Sequence, residues 1–299
     1  MFILHIDTGA EMRGGQWQAL YLIRELALRG HLVRLLARAE SPLLQAASAQ
    51  RIDARPLRLA LLLREAAEVD LIHVHDARAH TLSVLLRKPV VVSRRVAFAV
   101  GRGALSRWKY RRATHYIAVS EYVKRTLVEA GVPPDRIAVV YDGVPVDASP
   151  PKFQGQPKVL ALDSDDPRKG KKIIERAAAL ADIPVHFSSQ LLRDLPGGSA
   201  FVYITELEGL GSAALLAMAA GVPVIASRVG GLPEIVQDEV TGLLTSNEPE
   251  RVAKNIQRLL GDRSLAARLA ASARTRVERE FSVDRMVSGT VRVYERILK

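Results

Sequence analysis

The chain has 299 residues, of which 48% are hydrophobic, so it is long enough for two domains and too apolar to be disordered. It contains no cysteine, which excludes disulfides, thiolate nucleophiles and cysteine-based zinc sites. The formal net charge is +11, and the first 150 residues carry 22 basic and 14 acidic side chains; this balance favours anionic partners, although a basic surface also serves solubility alone.

We expect neither an export signal nor a membrane-spanning segment in this sequence. The first residues, MFILHID, lack a basic segment and reach an acid at Asp7. No apolar run in the sequence is long enough to cross a bilayer. The sequence therefore predicts a cytoplasmic protein.

Short apolar runs alternate with longer amphipathic ones through the first half. Residues 2–6 are predicted to form a strand, followed by a glycine loop and a helix over 16–29 that Gly30 ends. A later helix is capped by Ser120. Further strands are predicted at HLVRLLA, VDLIHVHD, KPVVVSRR, THYIAVS and RIAVVYDGV. Strands that alternate with helices predict a doubly wound parallel sheet.

The segment PVDASPPKFQGQPK interrupts this alternation with four prolines, and we expect the domain linker there. Strands and helices resume at KVLALDS, and the chain is predicted to be helical after Pro249. The sequence therefore predicts an α/β protein with two doubly wound domains in tandem.

Two loops of the second half combine glycines with carboxylates. Ligands of doubly wound sheets bind beyond the carboxyl ends of the strands, and the helix starts found there suit phosphate. A carboxylate beside them would instead accept hydrogen bonds from sugar or ribose hydroxyls. The combination suggests a nucleotide-sugar site, although an acid at a helix start can also serve stability alone. The residues concerned are Glu208, Gly209, Gly211, Gly230, Gly231 and Glu234.

The stretch EGLGSAALLAMAAGVPVIASRVGGLPEIVQDEVTGLL closely resembles the signature of the retaining family-4 glycosyltransferases, which have the GT-B fold. RGGQWQALYLIRELALRGH resembles the first glycine loop and helix of that family, and RKGKKII resembles its lysine–glycine loop. The resemblance implies two Rossmann-like domains that face a cleft. It implies an acceptor-side domain over 1–147, a shortened nucleotide-sugar-binding domain over 148–281, and a C-terminal helix over 282–299 that packs back on the first domain.

The resemblance also implies an activity. A sugar would pass from a nucleoside-diphosphate sugar to a hydroxyl acceptor with retention of configuration, without a metal ion or other cofactor. Glu208 is implied to contact the donor sugar, and Lys169 to neutralise the diphosphate. Gly14 and Gly15 are implied to approach the donor phosphates from the first domain, and the loop at 230–231 to lie at the donor end. We expect a glycolipid or oligosaccharide acceptor, as in envelope or lipopolysaccharide synthesis.

The sequence departs from the family pattern at two positions. Leu216 stands where a second glutamate normally binds the ribose, and Ser164 stands where an arginine normally meets phosphate. Arg168 is the candidate replacement for that arginine. Each lost charge-assisted bond costs about 1.5–3 kcal/mol, so the two changes would weaken donor binding more than about a hundredfold. The alternative is a degenerate nucleotide-sugar-binding or partner-binding protein with little turnover.

The strand VDLIHVHD ends in histidine and acid. We predict an acceptor-side catalytic role for His75, with Asp76 beside it, and a structural role for His73. We expect these two histidines to face opposite sides of the sheet and, without a third ligand at suitable spacing, to bind no metal. Arg94 and Arg95 are expected to meet an acceptor phosphate or to form a solvated basic turn.

The segment GRGALSRWKYRRATH, residues 101–115, mixes basic and aromatic side chains. This composition favours an anionic membrane surface, and hence a peripheral position on the inner face of the plasma membrane. Contact with RNA and an ordinary solvated helix with Trp108 turned inward are the alternatives. We expect no nucleic-acid partner, because nothing else in the chain resembles a nucleic-acid module. An epimerase of the same fold would need an acid–base set that we do not find.

Overall fold

The computed structural model of the protein describes residues 1–98, 100–101, 103–146 and 158–299. These residues form two compact units, one made of Met1–Gly143 with Val283–Lys299 and the other of Val144–Ser282. The predicted domain boundary at 147/148 lies outside the described residues. Within these described ranges, no helix combines the length and apolarity needed to span a membrane.

The first unit alternates strands with helices from its first residues. Its strands are β1 (Phe2–Asp7), β2 (Leu32–Ala37), β3 (Asp53–Pro56), β4 (Leu71–Val74), β5 (Val90–Arg94), β6 (His115–Ala118) and β7 (Ile137–Val139). Its helices, apart from the last one of the chain, are α1 (Gly14–Leu28), α2 (Pro42–Ala49), α3 (Leu59–Glu68), α4 (Ala77–Ser83), α5 (Ala104–Arg112) and α6 (Glu121–Glu129).

These strands form one parallel sheet in the order β3-β2-β1-β4-β5-β6-β7. The chain moves outward from β1 in one direction and then in the other, so the strand order reverses between β1 and β4. Ligands of doubly wound sheets bind at this kind of reversal, beyond the carboxyl ends of the strands. The residues that follow β1, β4 and β5 are therefore the ones best placed for function.

The second unit repeats this design on a smaller scale. Its strands are β8 (Val159–Leu162), β9 (Val185–Ser188), β10 (Ala200–Tyr203), β11 (Val224–Ser227) and β12 (Leu243–Thr245). Its helices are α7 (Lys171–Ala181), α8 (Leu191–Asp194), α9 (Ser212–Ala219), α10 (Leu232–Ile235), α11 (Pro249–Gly261) and α12 (Arg263–Glu280). The sheet is parallel, in the order β12-β11-β10-β8-β9, so its strand order reverses between β8 and β10.

The last helix, α13 (Val283–Leu298), belongs to the first unit. Its buried side chains, among them Met286 and Tyr294, join a core cluster with Ile3 of β1 and Leu22 of α1. At its start, Asp284 accepts a 2.7 Å hydrogen bond from Arg29 Nη2. Apolar burial along one helix face, fixed by an ion pair, holds α13 against α1.

Candidate active site

The second sheet brings a lysine and a glutamate together where its strand order reverses. Lys169 follows β8 in the one-turn helix Pro167–Lys169, and Glu208 lies in the loop after β10. Lys169 Nζ donates a 2.6 Å hydrogen bond to Glu208 Oε2. The ion pair is partly shielded, since the two side chains are 23% and 16% exposed. Two residues that the family resemblance assigns to the donor are thus direct partners.

A tyrosine that the sequence analysis missed completes this arrangement. Tyr203, the last residue of β10, donates its O–H to Glu208 Oε2 at 2.5 Å and accepts from Lys169 Nζ at 2.9 Å. Burial, and then the nearby Glu208 carboxylate, raise the pKa of Tyr203 well above 10, so the hydroxyl keeps its proton. A tyrosine in an otherwise apolar strand end was the available sequence signal. We call these residues the lysine–tyrosine–glutamate cluster.

Backbone packing places the lysine turn against β10. Gly170 has a left-handed φ of +63°, and a Cβ there would lie 2.7 Å from Ile204 Cγ2 and 2.9 Å from Ile204 O. The Glu206 N–H donates to Arg168 O at 2.9 Å, which joins the two loops directly. Only glycine fits at position 170, and this fit brings Lys169 within reach of Glu208.

The glycines at 230 and 231 have a structural reason that we did not foresee. A Cβ on Gly230 would lie 2.0 Å from Glu208 O, and one on Gly231 would lie 2.2 Å from Gly209 O. The Gly231 N–H donates to Glu208 O at 3.1 Å. The two predicted ligand loops therefore pack against each other, backbone to backbone, and the Gly231 amide is occupied by the protein's own carbonyl, while a role of these glycines in donor binding stays a prediction.

The two helices that begin after these loops differ in length. Helix α10 has only four residues, too few to sum a useful dipole, whereas α9 has eight and begins beside Glu208. Gly211 precedes α9 with φ +114°, and a Cβ there would lie 2.6 Å from Leu232 Cδ2. Glu234 lies in α10, where its carbonyl accepts from Arg276 Nη2 at 2.9 Å. Of the two predicted anion-binding helix starts, that of α9 is therefore the one that belongs to a helix long enough for a useful dipole.

The two departures from the family pattern lie in the same unit. Arg168, the proposed replacement for the missing arginine, donates to both oxygens of Asp166 at 2.9 and 2.7 Å. These hydrogen bonds hold the pKa of Asp166 at about 2. The charge of Arg168 is therefore already shared with a carboxylate. Ser164 Oγ accepts from Asp166 N at 3.3 Å, and Leu216 is half-buried in α9.

In the first unit, the buried residues His5, His73 and His75 form what we call the histidine layer, on the sheet face covered by α1 and α13. His5 and His73 are paired neighbours on β1 and β4, and His75 follows β4. His5 Nδ1 lies 3.0 Å from His75 Nε2, and the rings of His73 and His75 are 4.3 Å apart. The expectation that His73 and His75 face opposite sides of the sheet is wrong, because residues two apart in a strand share a face.

The hydrogen bonds of this layer determine which ring nitrogen of His75 carries a proton. Arg95 Nη1 lies 3.3 Å from His75 Nδ1 and can only donate, so His75 carries its proton on Nε2 and donates it to His5 Nδ1. His73 bonds Tyr294 through Nδ1 and Ser93 through Nε2 at 2.8 Å. Burial is the main cause that lowers the pKa of His5 to about 3 and the pKa values of His73 and His75 well below 6.5. All three rings are therefore neutral at pH 7.

The three histidines are close enough to suggest a metal site, with one nitrogen of each within 4.8 Å of the others. His5, the third member, was not predicted from the sequence, because periodicity does not specify that β1 and β4 are neighbours. The chemistry nevertheless opposes a cation. His75 Nε2 carries a proton because Nδ1 accepts from Arg95, and the guanidinium adds a positive charge. We conclude that these residues do not fit a metal.

Three other predicted residues of the first unit, Gly14, Gly15 and Arg95, lie at the start of α1 or next to it. Gly14 and Gly15 are the first two residues of α1, so the helix begins two residues earlier than predicted. A Cβ on Gly15 would lie 3.8 Å from Arg95 Cδ, which places the arginine beside the helix start. Arg95 donates to Asp142 at 3.1 Å and is 12% exposed. Both ring nitrogens of His75 are engaged, so a direct catalytic role would require breaking one of these bonds.

The basic segment forms helix α5, with residue 102 outside the described part. Trp108 is 47% exposed, so the alternative in which this ring turns inward is wrong. Arg94, at the end of β5, reaches toward α5 and donates to Tyr110 Oη at 3.2 Å. The two adjacent arginines therefore separate, Arg95 to the histidine layer and Arg94 to the basic helix.

Comparison with known families gives two matches. The family described as Glycosyltransferase Family 4 matches residues 12–148, and the family described as Glycosyl transferases group 1 matches residues 185–276. Together the two ranges cover most of the chain, one in each half.

Among curated proteins, D-inositol 3-phosphate glycosyltransferase of Salinispora arenicola is 47% identical over 88 residues, 29% of this chain and 19% of that protein. A GDP-mannose-dependent alpha-(1-6)-phosphatidylinositol monomannoside mannosyltransferase of Mycobacterium tuberculosis is 42% identical over 84 residues, 28% of this chain and 22% of that protein. The match thus spans about a fifth of the length of these relatives.

Solved structures match over the whole chain. Anabaena Alr3699/HepE in complex with UDP and glucose has a TM-score of 0.84 at 18% identity, covering 99% of this chain and 100% of that one. A glycosyltransferase from Rickettsia africae ESF-5 also gives 0.84, at 17% identity, with 100% and 98% covered. These similarities show the GT-B fold.

Proposed function

We propose that this chain, which belongs by its family matches and its fold to the GT-B glycosyltransferases, transfers a sugar from a nucleoside-diphosphate sugar to a hydroxyl acceptor with retention of configuration. The observation that carries the proposal is the meeting of Lys169 and Glu208 at the strand-order reversal of the second sheet, 2.6 Å apart. The two residues come from different loops and occupy the place where ligands of such sheets bind.

Each member of the lysine–tyrosine–glutamate cluster has a part in this chemistry. Lys169 supplies a positive charge that stabilises the departing diphosphate, and α9, which begins four residues after Glu208, adds backbone dipoles. Glu208 accepts hydrogen bonds from hydroxyls of the donor sugar and so orients the anomeric carbon. Tyr203 holds the carboxylate through Oε2, while Oε1 accepts from the Gly209 N–H at 3.1 Å.

Donor binding would rearrange this cluster. The charge of Lys169 is compensated by Glu208, so a diphosphate must compete with that carboxylate for the ammonium group. The Tyr203 hydroxyl remains a partner for Glu208 when the lysine turns to phosphate. Part of the binding energy of the diphosphate is thus used to separate an existing ion pair.

We propose a metal-independent hexosyl transfer, because the ammonium group of Lys169 can neutralise the charge that a metal ion would otherwise meet. We also propose a cytoplasmic protein, peripheral on the inner face of the membrane, that acts on an envelope glycolipid or oligosaccharide. The basic helix α5 supports this setting. The similar protein of Mycobacterium tuberculosis is named as a phosphatidylinositol monomannoside mannosyltransferase, and phosphatidylinositol is a lipid.

The second candidate is a nucleotide-sugar-binding protein with little turnover. It is favoured by Leu216, which cannot accept a hydrogen bond from ribose, and by Arg168, whose charge is shared with Asp166. Turnover separates the two candidates, since both of them bind the donor.

The test is a thermal-shift screen against UDP-, GDP-, ADP- and CMP-sugars, followed by an assay for donor hydrolysis or transfer. A donor at a hundredfold its dissociation constant should stabilise the fold by about 2.7 kcal/mol. Lys169→Ala should abolish this shift, while Lys172→Ala, which removes an exposed lysine three residues away, should keep it. A shift without turnover would select the second candidate, and no shift with any donor would refute both.

A further inference from the structure

The first unit contains an open cavity of about 530 Å³ between α4 and α5, a size typical of small-ligand sites. One part of its wall is apolar and includes Leu85 of the α4 side together with Leu105 and Trp108 of α5. Another part is basic and includes Arg94, from the end of β5, and Lys109 of α5. Neither part belongs to the lysine–tyrosine–glutamate cluster or to the histidine layer.

Among the described residues, the hydrogen bonds of the two cations at the cavity go to neutral acceptors. Lys109 Nζ donates to Ala77 O at 2.8 Å and to Thr81 Oγ1 at 2.7 Å. Arg94 Nη2 donates to Phe98 O at 2.6 Å, and its buried Nε has no hydrogen-bond partner among the described residues. Within the described ranges, neither cation lies within 4 Å of a carboxylate. Among the described residues, two positive charges therefore share one wall without a salt bridge, and the Asp76 carboxylate acts on Lys109 from beyond that distance.

Burial, and next the charge of Arg94, lower the pKa of Lys109 from its usual value. An anion bound between the two cations would remove this repulsion and give Arg94 Nε an acceptor. The wall is thus complementary to a phosphate group, which offers several acceptor oxygens at once.

Exposed apolar side chains are concentrated in the segments that form this cavity. Leu85 and Leu105 are 78% and 77% exposed. Helix α5 adds four basic residues and no acidic one. A basic surface with protruding leucines and a tryptophan is suited to an anionic bilayer surface rather than to water. The other large exposed apolar side chains of these segments are Leu82, Val96, Phe98 and Trp108.

We propose that this cavity binds a phosphate-bearing lipid of an anionic membrane. The lipid phosphate lies between Arg94 and Lys109, and the chain next to it lies against Leu85, Leu105 and Trp108. An inorganic phosphate would leave the apolar wall uncovered, and a nucleic acid would leave these leucines in water. The inference gives a lipid identity to the partner of the proposed peripheral glycosyltransferase, and it rests on that function.

The test uses the full chain with Trp17→Phe, which leaves Trp108 as the single tryptophan. Its fluorescence is followed during titration with vesicles of phosphatidylcholine and with vesicles of equal parts phosphatidylcholine and phosphatidylglycerol. Only the anionic vesicles should shift the emission to the blue. Arg94→Gln and Lys109→Gln should each weaken partitioning about fivefold. Leu105→Ser should weaken it as well.

Matched controls separate the cavity from general surface properties. Lys254→Gln removes an exposed lysine from the second unit, and Leu59→Ser removes a leucine of α3 that is 66% exposed. Both variants should bind the anionic vesicles like the parent chain. The melting temperature of every variant confirms that it is folded.

Three results would overturn the proposal. The first is equal binding to both kinds of vesicle. The second is a loss of binding in the control variants equal to the loss in Arg94→Gln and Lys109→Gln. The third is displacement of the anionic vesicles by inorganic phosphate or by an RNA oligonucleotide that binds the same two cations. A short-chain phosphatidic acid should displace them instead. Donor-induced thermal stabilisation, measured on the same preparations, reports on the second unit, so a failed lipid site is distinguished from a failed transferase assignment.

Discussion

Tyr203 and Glu208, five residues apart at the end of β10, are joined by a 2.5 Å hydrogen bond in which the tyrosine donates. The chain therefore turns sharply between them, and the carboxylate is held above the strand that carries its own partner. Because Lys169 donates to both residues, three polar groups from the segments after β8 and at the end of β10 form one hydrogen-bonded cluster. This geometry has direct experimental consequences.

Removing the Tyr203 hydroxyl should weaken the lysine–tyrosine–glutamate cluster, although the ion pair between Lys169 and Glu208 remains. We expect Tyr203→Phe to destabilise the fold by about 1.5–3 kcal/mol, since a hydrogen bond to a charged group is lost while the ring is kept. Urea unfolding measures this change. Donor affinity should fall as well, because Glu208 loses the group that orients it. An unchanged unfolding midpoint together with unchanged donor affinity would show that the hydroxyl is dispensable.

The loop containing Gly230 should tolerate no side chain. A Cβ at this position would lie 2.0 Å from Glu208 O, a backbone atom that cannot turn aside, and φ is +56°. We expect Gly230→Ala to cost about 3 kcal/mol or more in the free energy of unfolding. Gly261→Ala is the matched control in the same unit, since nothing lies within 4 Å of its Cβ and φ is not left-handed. Similar melting temperatures for the two variants would contradict the packing described here.

Restoring the carboxylate that the family pattern expects should strengthen nucleotide binding. We expect Leu216→Glu to lower the dissociation constant for a nucleoside diphosphate at least about tenfold, since a charge-assisted hydrogen bond contributes about 1.5–3 kcal/mol. Isothermal titration calorimetry measures the change. Leu180→Glu adds the same charge to α7 at a leucine that is 51% exposed, and it should leave the affinity unchanged. Equal effects from both variants would argue for general electrostatics rather than a ribose contact.

The histidine layer should make stability depend on pH. The pKa of His5 is lowered to about 3 in the folded chain, whereas an unfolded histidine titrates near 6.5. Above pH 6.5 neither state binds the proton; between these two values only the unfolded state does. The free energy of unfolding should therefore fall as the pH falls, by up to about 1.4 kcal/mol per pH unit from His5. His73 and His75 act in the same direction.

Urea midpoints at about pH 7 and about pH 5 measure this dependence. His5→Asn should reduce the slope, and His186→Asn, whose side chain is 52% exposed in the second unit, serves as the control for losing a histidine outside the layer. A slope equal in the parent chain and in His5→Asn would mean that His5 binds its proton as readily in the folded chain as in the unfolded one.

Much of the framework was predictable because it depends on local patterns. The alternation of apolar strands with amphipathic helices indicated parallel α/β sheets, and the structure confirms the predicted fold class. Ser120 caps α6 as expected, accepting from Val123 N at 3.0 Å. Glu208 and Lys169 could be selected because a family pattern fixes their spacing from glycines. Their roles in binding remain predictions.

Other features could not be read from the sequence, because they depend on distance in space. The pairing of His5 with His73 requires β1 and β4 to be neighbours, which periodicity does not specify. The same holds for Tyr203, because its hydroxyl can bond Lys169 only after β8 and β10 have paired. The glycines at 230 and 231 were assigned to a ligand, although the backbone of Glu208 and Gly209 already explains them.

The sequence by itself determined which elements form and which side chains carry charge, because hydrogen bonding along helices and alternation along strands are local properties. Only the tertiary structure decided which charges are neutralised. Lys169 has a carboxylate partner, whereas Arg94 and Lys109 bond neutral groups beside an apolar wall. Coulomb energy depends on separation and burial, and neither quantity exists until distant segments have packed.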